Sequence, residues 1–237
     1  MVPGRTKHVL ERGLRRSVSA LLRGYGLTDR ICLVTVIAVA ALKGGVGKTT
    51  TAVYFAWAMA SSGEKVVLAD ADRQASALRW ADEAGGLGDG VLTVGVTTPE
   101  ALRGLRGLCN GAEVVIDTPP GDLRLVRSAL GRADVAVVPV RTTLLDLDRL
   151  GETLDEVREA EVPAAVLLTQ ARSRTRSLAG AKDALDQLGL PVLQTVIPAR
   201  EGIAASFGDR PDPEGLAAYG AALGELRAAL KTAKDSP

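Results

Sequence analysis

The stretch Ala40-Ala41-Leu42-Lys43-Gly44-Gly45-Val46-Gly47-Lys48-Thr49-Thr50-Thr51 decides how this chain is read. An apolar run from Ile31 to Leu42 leads into three glycines, and Lys48-Thr49 then opens a helical pattern. Strand, glycine-rich turn and helix N-terminus, in that order, make a phosphate-binding P-loop. The glycines let backbone N–H groups converge on phosphate oxygens with no Cβ in the way. The positive end of the helix dipole adds to the attraction. Gly44, Gly45, Val46, Gly47, Lys48, Thr49 and Thr50 are therefore the expected nucleotide contacts. Lys48 is placed to bridge β- and γ-phosphates, and Thr49 to offer a hydroxyl to Mg²⁺. The strict G-x-x-x-x-G-K-[ST] spacing is missed, because Leu42 stands where its first glycine belongs. Lys43 is a second lysine in the loop, and one lysine suffices to hold a terminal phosphate.

Around this loop the chain reads as an α/β protein. Its 237 residues are 46% apolar, enough for a closed core, but only 3% aromatic. Val, Leu, Ile and Ala must fill the interior, which suits a parallel sheet covered by helices. Strands are expected at Leu33–Ala41, Lys65–Ala69, Val91–Val96, Glu113–Ile116, Val135–Val140, Ala164–Thr169 and Val192–Ile197. Helices are expected to begin near Lys48, Gln74, Pro99, Asp122, Leu144, Ser177 and Pro213. That alternation predicts one P-loop NTPase domain over 31–237, with a doubly wound, mostly parallel sheet flanked by helices. Gly85 to Gly90 reads as a surface loop. Residues 1–30 differ: they hold seven Arg/Lys against two acids, with Leu10, Leu14, Val18 and Leu21 at helical spacing. They read as a basic N-terminal extension with a possible short helix.

Several function classes are disfavoured. A net charge of +1 argues against a globally basic nucleic-acid binder, so any such surface has to be local. Cys32 and Cys109 form neither a metal-ligand spacing nor a disulfide framework, which points to a reducing, cytoplasmic setting. No signal peptide is visible, and the longest apolar run is too short to span a bilayer.

Two acidic strand ends follow the glycine loop. Val66-Val67-Leu68-Ala69-Asp70-Ala71-Asp72-Arg73-Gln74 ends in two acids two residues apart, which point to one side if the backbone stays extended. Val114-Val115-Ile116-Asp117-Thr118-Pro119-Pro120-Gly121 has the Walker B pattern, with Asp117 holding Mg²⁺ directly or through water.

Lys43-Gly-Gly-Val-Gly-Lys-Thr-Thr50 resembles the deviant Walker A motif of the ParA/MinD superfamily of ATPases. The resemblance covers about residues 33–230 and is nearest to small ParA-type plasmid and chromosome partition ATPases. It implies that Lys43 reaches across a nucleotide-sandwich homodimer to the phosphates held by the partner, like an arginine finger supplied in trans. It gives Asp72 the positioning or activation of the attacking water and Asp70 a supporting Mg²⁺/switch role. Catalysis would then rest on Lys43, Lys48 and Asp72, and metal binding on Thr49, Asp117 and Asp70. Thr118-Pro119-Pro120-Gly121 resembles the switch loop that senses the γ-phosphate. Asp72 to Trp80 is similar to the Asp-Pro-Gln…Trp run of short partition ATPases, with Arg73 where those have Pro. Thr195 to Arg200 resembles the adenine-side segment, with Pro198 near the base. Leu167 to Arg172 offers no Asp to accept from guanine, so ATP with Mg²⁺ is the expected cofactor.

ParA proteins dimerise on ATP, bind DNA without sequence preference, and are released when a centromere-binding, ParB-like adaptor stimulates a weak ATPase. The resemblance therefore implies a nucleoid-associated protein. Arg172, Arg174, Arg176 and Arg200 are the candidate DNA contacts, and phosphate contacts of this kind make binding salt-dependent. A MinD-like membrane-cycling ATPase is the alternative within the superfamily. The stripe Leu216, Tyr219, Leu223, Leu226 and Leu230 fits docking on the core better than lipid, because its polar face carries little positive charge. A nitrogenase-iron-protein-like reductase needs cluster cysteines near the switch regions, and Cys109 is the only one between Asp72 and Arg132. A metabolic P-loop ligase remains as the alternative from another class. Residues 1–30 offer too little chain for the helix-turn-helix repressor domain of longer relatives.

Overall fold

The computed structural model describes residues 35–108 and 111–234. The expected N-terminal helix, the start of the first strand at Leu33 and both cysteines lie outside the described residues. Among the described residues six strands are formed: β1 Val36–Val39, β2 Val66–Asp70, β3 Val91–Gly95, β4 Glu113–Asp117, β5 Val135–Arg141 and β6 Ala164–Thr169. They make one sheet in the order β3-β2-β4-β1-β5-β6. Every pairing is parallel, so the sheet is more uniform than the mostly parallel one expected.

Strand alternation sorts the core into two layers. Ile37, Val39, Leu68, Val115, Val137 and Leu167 face one side, where they pack with α1 (Lys48–Ser61), α2 (Ser76–Glu83) and the last helix. Val36, Ala38, Ile116, Val138 and Val166 face the other. There they meet α3 (Pro99–Leu108), α4 (Leu123–Leu130), α6 (Leu150–Glu159) and α7 (Arg176–Gln187). Both faces are covered, which is why the strands read as continuous apolar runs.

The last helix, α9 (Pro213–Lys234), lies against α1, with α8 (Glu201–Ala205) before it. Tyr219, Leu223, Leu226 and Leu230 are buried, and Tyr219 stacks against Tyr54 at 4.7 Å between ring centroids. The stripe expected to dock on the core does so. Leu226 is 0% exposed, so Leu226→Ala is expected to remove about 3 kcal/mol of stability. Urea unfolding would show it as a lower midpoint at unchanged slope.

Three expectations need correction. Val192–Ile197 is not a regular strand: it meets β6 through an isolated bridge at Val166–Val192, and a second bridge, Ala171–Pro198, falls just beyond both segments. The flanking Pro191 and Pro198 have no N–H to give a ladder. The N–H groups of Gln194 and Thr195 are diverted to the Glu225 carboxylate on α9, at 2.6 and 3.0 Å. The helix expected from Gln74 starts at Ser76, because Gln74 N–H donates to Asp72 Oδ1 (2.9 Å) and Ala75 adopts φ 53°. The helix from Leu144 is two pieces, α5 (Leu144–Asp148) and α6, and α8 was not foreseen.

Candidate functional site

The site lies at the carboxyl ends of the strands, where parallel sheets bind ligands. Val39, the last residue of β1, hands the chain to the glycine loop and is the register partner of Asp117 on β4. Asp117 in turn lies opposite Asp70, the last residue of β2. Gly45 (φ 73°) and Gly47 (φ 92°) take left-handed conformations that a side chain would strain. Gly47 caps α1 without a side-chain hydrogen bond, so the first N–H groups of the helix are left for an anion.

Hydrogen bonds from distant segments brace this loop. Thr169 Oγ1 donates to Val46 O at 2.8 Å, and Gln170 Nε2 to Gly45 O at 3.2 Å, both from the end of β6. Leu42 N–H donates to the Thr153 hydroxyl on α6 at 3.1 Å.

Lys48 is buried, and its Nζ donates to Lys43 O at 3.0 Å. Burial lowers its pKa, against the pull of Asp117 and Asp72. Asp117 is fully buried, and neither carboxylate oxygen has a hydrogen-bond partner. Burial pushes its pKa up to about 7; the nearby Thr49 hydroxyl and Lys48 pull it down, and Asp70 and Asp72 push it further up. An orphaned buried carboxylate is a group waiting for a partner. Among the described residues no three His, Cys, Asp or Glu side chains form a metal-holding group. A divalent cation here would have to share its ligands with a bound phosphate, as Mg²⁺ usually does. Asp117, with Thr49 at the start of α1, fits such a shared site.

The two acids at the end of β2 divide their work. Asp70 is buried and accepts three backbone N–H groups: Asp72 at 3.0 Å, Ala77 at 2.9 Å and Leu78 at 3.0 Å. It anchors the loop and the start of α2, so its charge bears on the site while its oxygens are occupied. Burial raises its pKa despite those bonds. Asp72 is half-buried and close enough to bear electrostatically on Lys48 and Asp117.

The Lys43 side chain is engaged away from the acids of β2 and β4. Its Nζ is bound to Asp146 on α5, a carboxylate with a fully buried side chain. Asp146 also takes Arg141 Nε at 3.0 Å, Arg141 Nη2 at 3.2 Å and the Thr143 hydroxyl. Burial alone would raise the Asp146 pKa, but the bonds from Lys43, Thr143 and Arg141 outweigh it and bring it to about 2.

The candidate arginines part company. Arg172, Arg174 and Arg176 are exposed on the turn into α7, and none has an acidic partner among the described residues. Thr175 shapes that turn by donating to Arg172 O (2.8 Å) and capping Leu178 N–H (3.3 Å). Arg200 is paired with Asp212 at 3.3 Å and Glu214 at 2.6 Å, so it does not join them as a free cation. Pro198 bridges to Ala171, two residues from the Thr169 that holds the glycine loop.

Asp146, Arg141, Thr153, Thr169 and Gln170 were not singled out from the sequence. Thr143-x-x-Asp146 is a helix-start pattern, and that was the one legible signal among them.

A glycine cradle, a buried lysine and an unpartnered Walker-type aspartate on an all-parallel sheet define a P-loop nucleotide-binding domain. The family described as the CobQ/CobB/MinD/ParA nucleotide binding domain matches residues 37–211, and this chain belongs to it. A maintenance of carboxysome distribution protein A from Gloeobacter kilaueensis is 41% identical over 172 residues, covering 69% of this chain and 76% of its own. Protein ParA from Rhizobium radiobacter is 29% identical over 182 residues, covering 73% and 82%. The fold is also that of a plasmid partition protein from Borrelia burgdorferi solved with AMPPNP. That structure has a TM-score of 0.69 at 20% identity, with 82% of this chain and 99% of that one covered. The chain is thus a ParA/MinD-type P-loop ATPase.

Proposed function

We propose that this chain is an ATP-dependent partition ATPase that dimerises on ATP, binds DNA without sequence preference and is released by partner-stimulated hydrolysis. What carries this is the joining of two features at one sheet end. The nucleotide cradle is braced by Thr169 and Gln170, and the unpaired arginines Arg172, Arg174 and Arg176 follow on the same short segment.

In this cycle the P-loop amides from Gly44 to Thr50 and Lys48 hold the ATP phosphates, with Pro198 beside the base. Asp117 and Thr49 are the Mg²⁺ side chains, and Asp70 supports them by charge and by fixing the loop that carries Asp72. Held there, Mg²⁺ would supply positive charge against the negative charge that develops in phosphoryl transfer. Asp72 orients the attacking water. Lys43 leaves Asp146 and places its charge on the partner's γ-phosphate. Hydrolysis stays slow until a ParB-like adaptor engages, and the dimer then opens and drops the DNA. The place of work is the cytoplasm, on the nucleoid. Among the described residues no helix is long and apolar enough to cross a membrane. The α9 stripe that a MinD-like lipid contact would need is occupied by the core.

A second reading keeps the ATPase cycle and changes the cargo. The Gloeobacter relative is named for the distribution of carboxysomes, and its 41% identity, against 29% for protein ParA, favours a carboxysome as cargo over a plasmid or chromosome.

DNA binding with ATP analogue, with ADP and without nucleotide, across a salt series, tests the proposal. Tight binding is expected only with the analogue, with affinity falling steeply as salt rises. Arg174→Ala should reduce the salt slope by about one. Equal affinity in all three nucleotide states would overturn it.

A further inference from the structure

Asp146 carries two cations where one would neutralise it. Its side chain is fully buried, whereas those of Lys43 and Arg141 are 25% and 36% exposed. Arg141 holds both carboxylate oxygens, Nε on Oδ2 and Nη2 on Oδ1, and Thr143 adds a hydroxyl. Lys43 approaches Oδ1 alone. The arrangement is asymmetric in what each donor can do. Arginine's planar fork matches a carboxylate in a fixed geometry, whereas lysine is a point charge on a flexible four-carbon stem. Two cations on one anion also repel each other, so Lys43 is held less firmly than it would be alone. If Lys43 were the only cation, its departure would strand a buried charge, which is strongly unfavourable. With Arg141 in place, the carboxylate keeps two charge-assisted bonds and a hydroxyl after Lys43 has gone.

We infer that Arg141 is a positioning residue for the Lys43 step: it keeps Asp146 neutralised when Lys43 leaves for a partner subunit, and so sets how readily two chains close on nucleotide. This rests on the trans role of Lys43 proposed above. Arg141 lies at the end of β5 and Asp146 in α5, 103 residues from Lys43 in sequence. The pair is therefore a fixed resting place to which the loop lysine returns when the dimer opens.

Two measurements test it. The first uses the single chain without nucleotide. Lys43→Ala and Arg141→Gln should each lower Tm by about 2 °C or less, and together by more than about 5 °C, because only the double variant strands Asp146. In an Asp146→Asn background that excess should vanish. The second follows dimerisation with AMPPNP and Mg²⁺ by sedimentation. Arg141→Gln should weaken the dimer roughly tenfold, because Lys43 is then the only cation on the carboxylate. Arg141→Lys should stay near wild type, and Arg141→Gln with Asp146→Asn should recover. Additive Tm shifts, or an Arg141→Gln dimer as tight as wild type, would overturn the inference. A wild-type chain that stays single with AMPPNP overturns the trans role itself and the dimer step with it, while the first measurement separately reports on Arg141 and Asp146.

Discussion

Lys43→Ala is expected to lower ATP hydrolysis by roughly a thousandfold, with a far smaller change in nucleotide binding by the single chain. The expected size follows from where the charge acts. A cation brought to the γ-phosphate in a closed, water-poor interface meets negative charge that builds up only in the transition state. In the proposed cycle the lysine that holds the ground-state phosphates is instead Lys48, which is buried near Asp117. Mixing distinguishes help in trans from help in cis. Chains carrying Lys43→Ala and chains carrying Asp72→Ala are each inactive alone, but in a mixed dimer one of the two sites has its own Asp72 and a lysine from its neighbour. An equimolar mixture should recover about a quarter of wild-type turnover, since about half the dimers are mixed and each has one working site. A mixture as inactive as its components would place Lys43 in its own subunit's chemistry.

The second large effect is expected at Asp117. Asp117→Asn should abolish Mg²⁺-dependent hydrolysis and yet raise the Tm of the nucleotide-free protein in EDTA. The carboxylate is buried with no hydrogen-bond partner, and burial lifts its pKa from 3.8 to about 7. Between those values the folded chain keeps a proton that the unfolded chain has lost, so stability falls as pH rises through the window. The loss is complete above pH 7 and is worth about 4 kcal/mol at most, at roughly 1.4 kcal/mol per unit. Asp70, whose pKa is also raised by burial, adds in the same direction. At pH 8 the Asn variant should melt roughly 5 to 10 °C above wild type, and the gap should shrink by pH 5. Adding ATP analogue with Mg²⁺ should reverse the order, because ligand binding stabilises only the chain that can use it. Equal melting at pH 8 would show that the carboxylate is not a stored liability of the empty site.

The strands and the nucleotide loop were legible because their signals are local. Residues 164–168 form a short apolar run whose length and alternation with helical patterns read as a buried strand, and Pro99 and Pro213 mark first helical turns. Lys48 and Asp117 announce themselves by position after apolar runs. What stayed hidden depends on contacts far along the chain. Val192–Ile197 has a strand's composition, and Leu193 and Ile197 do donate to β6, but Glu225, some 30 residues later, takes the N–H groups of Gln194 and Thr195 between them. Arg200 looked as free as Arg174 until the fold brought Asp212 and Glu214 to it. The resting place of Lys43 joins a loop to a carboxylate on another element, which no periodicity reports.

Thr169 and Gln170 fasten the carbonyls of Val46 and Gly45 to the tip of β6, and the arginine turn begins two residues beyond. Gln170 adopts φ 49° and Arg174 φ 58°, so this short connector is kinked rather than slack. The two hydrogen bonds are thus the direct link between the cradle and the stem from which Arg172, Arg174 and Arg176 project. If those arginines hold DNA as proposed, occupancy at one end and grip on a polyanion at the other would be geared through two side chains, with no hinge needed.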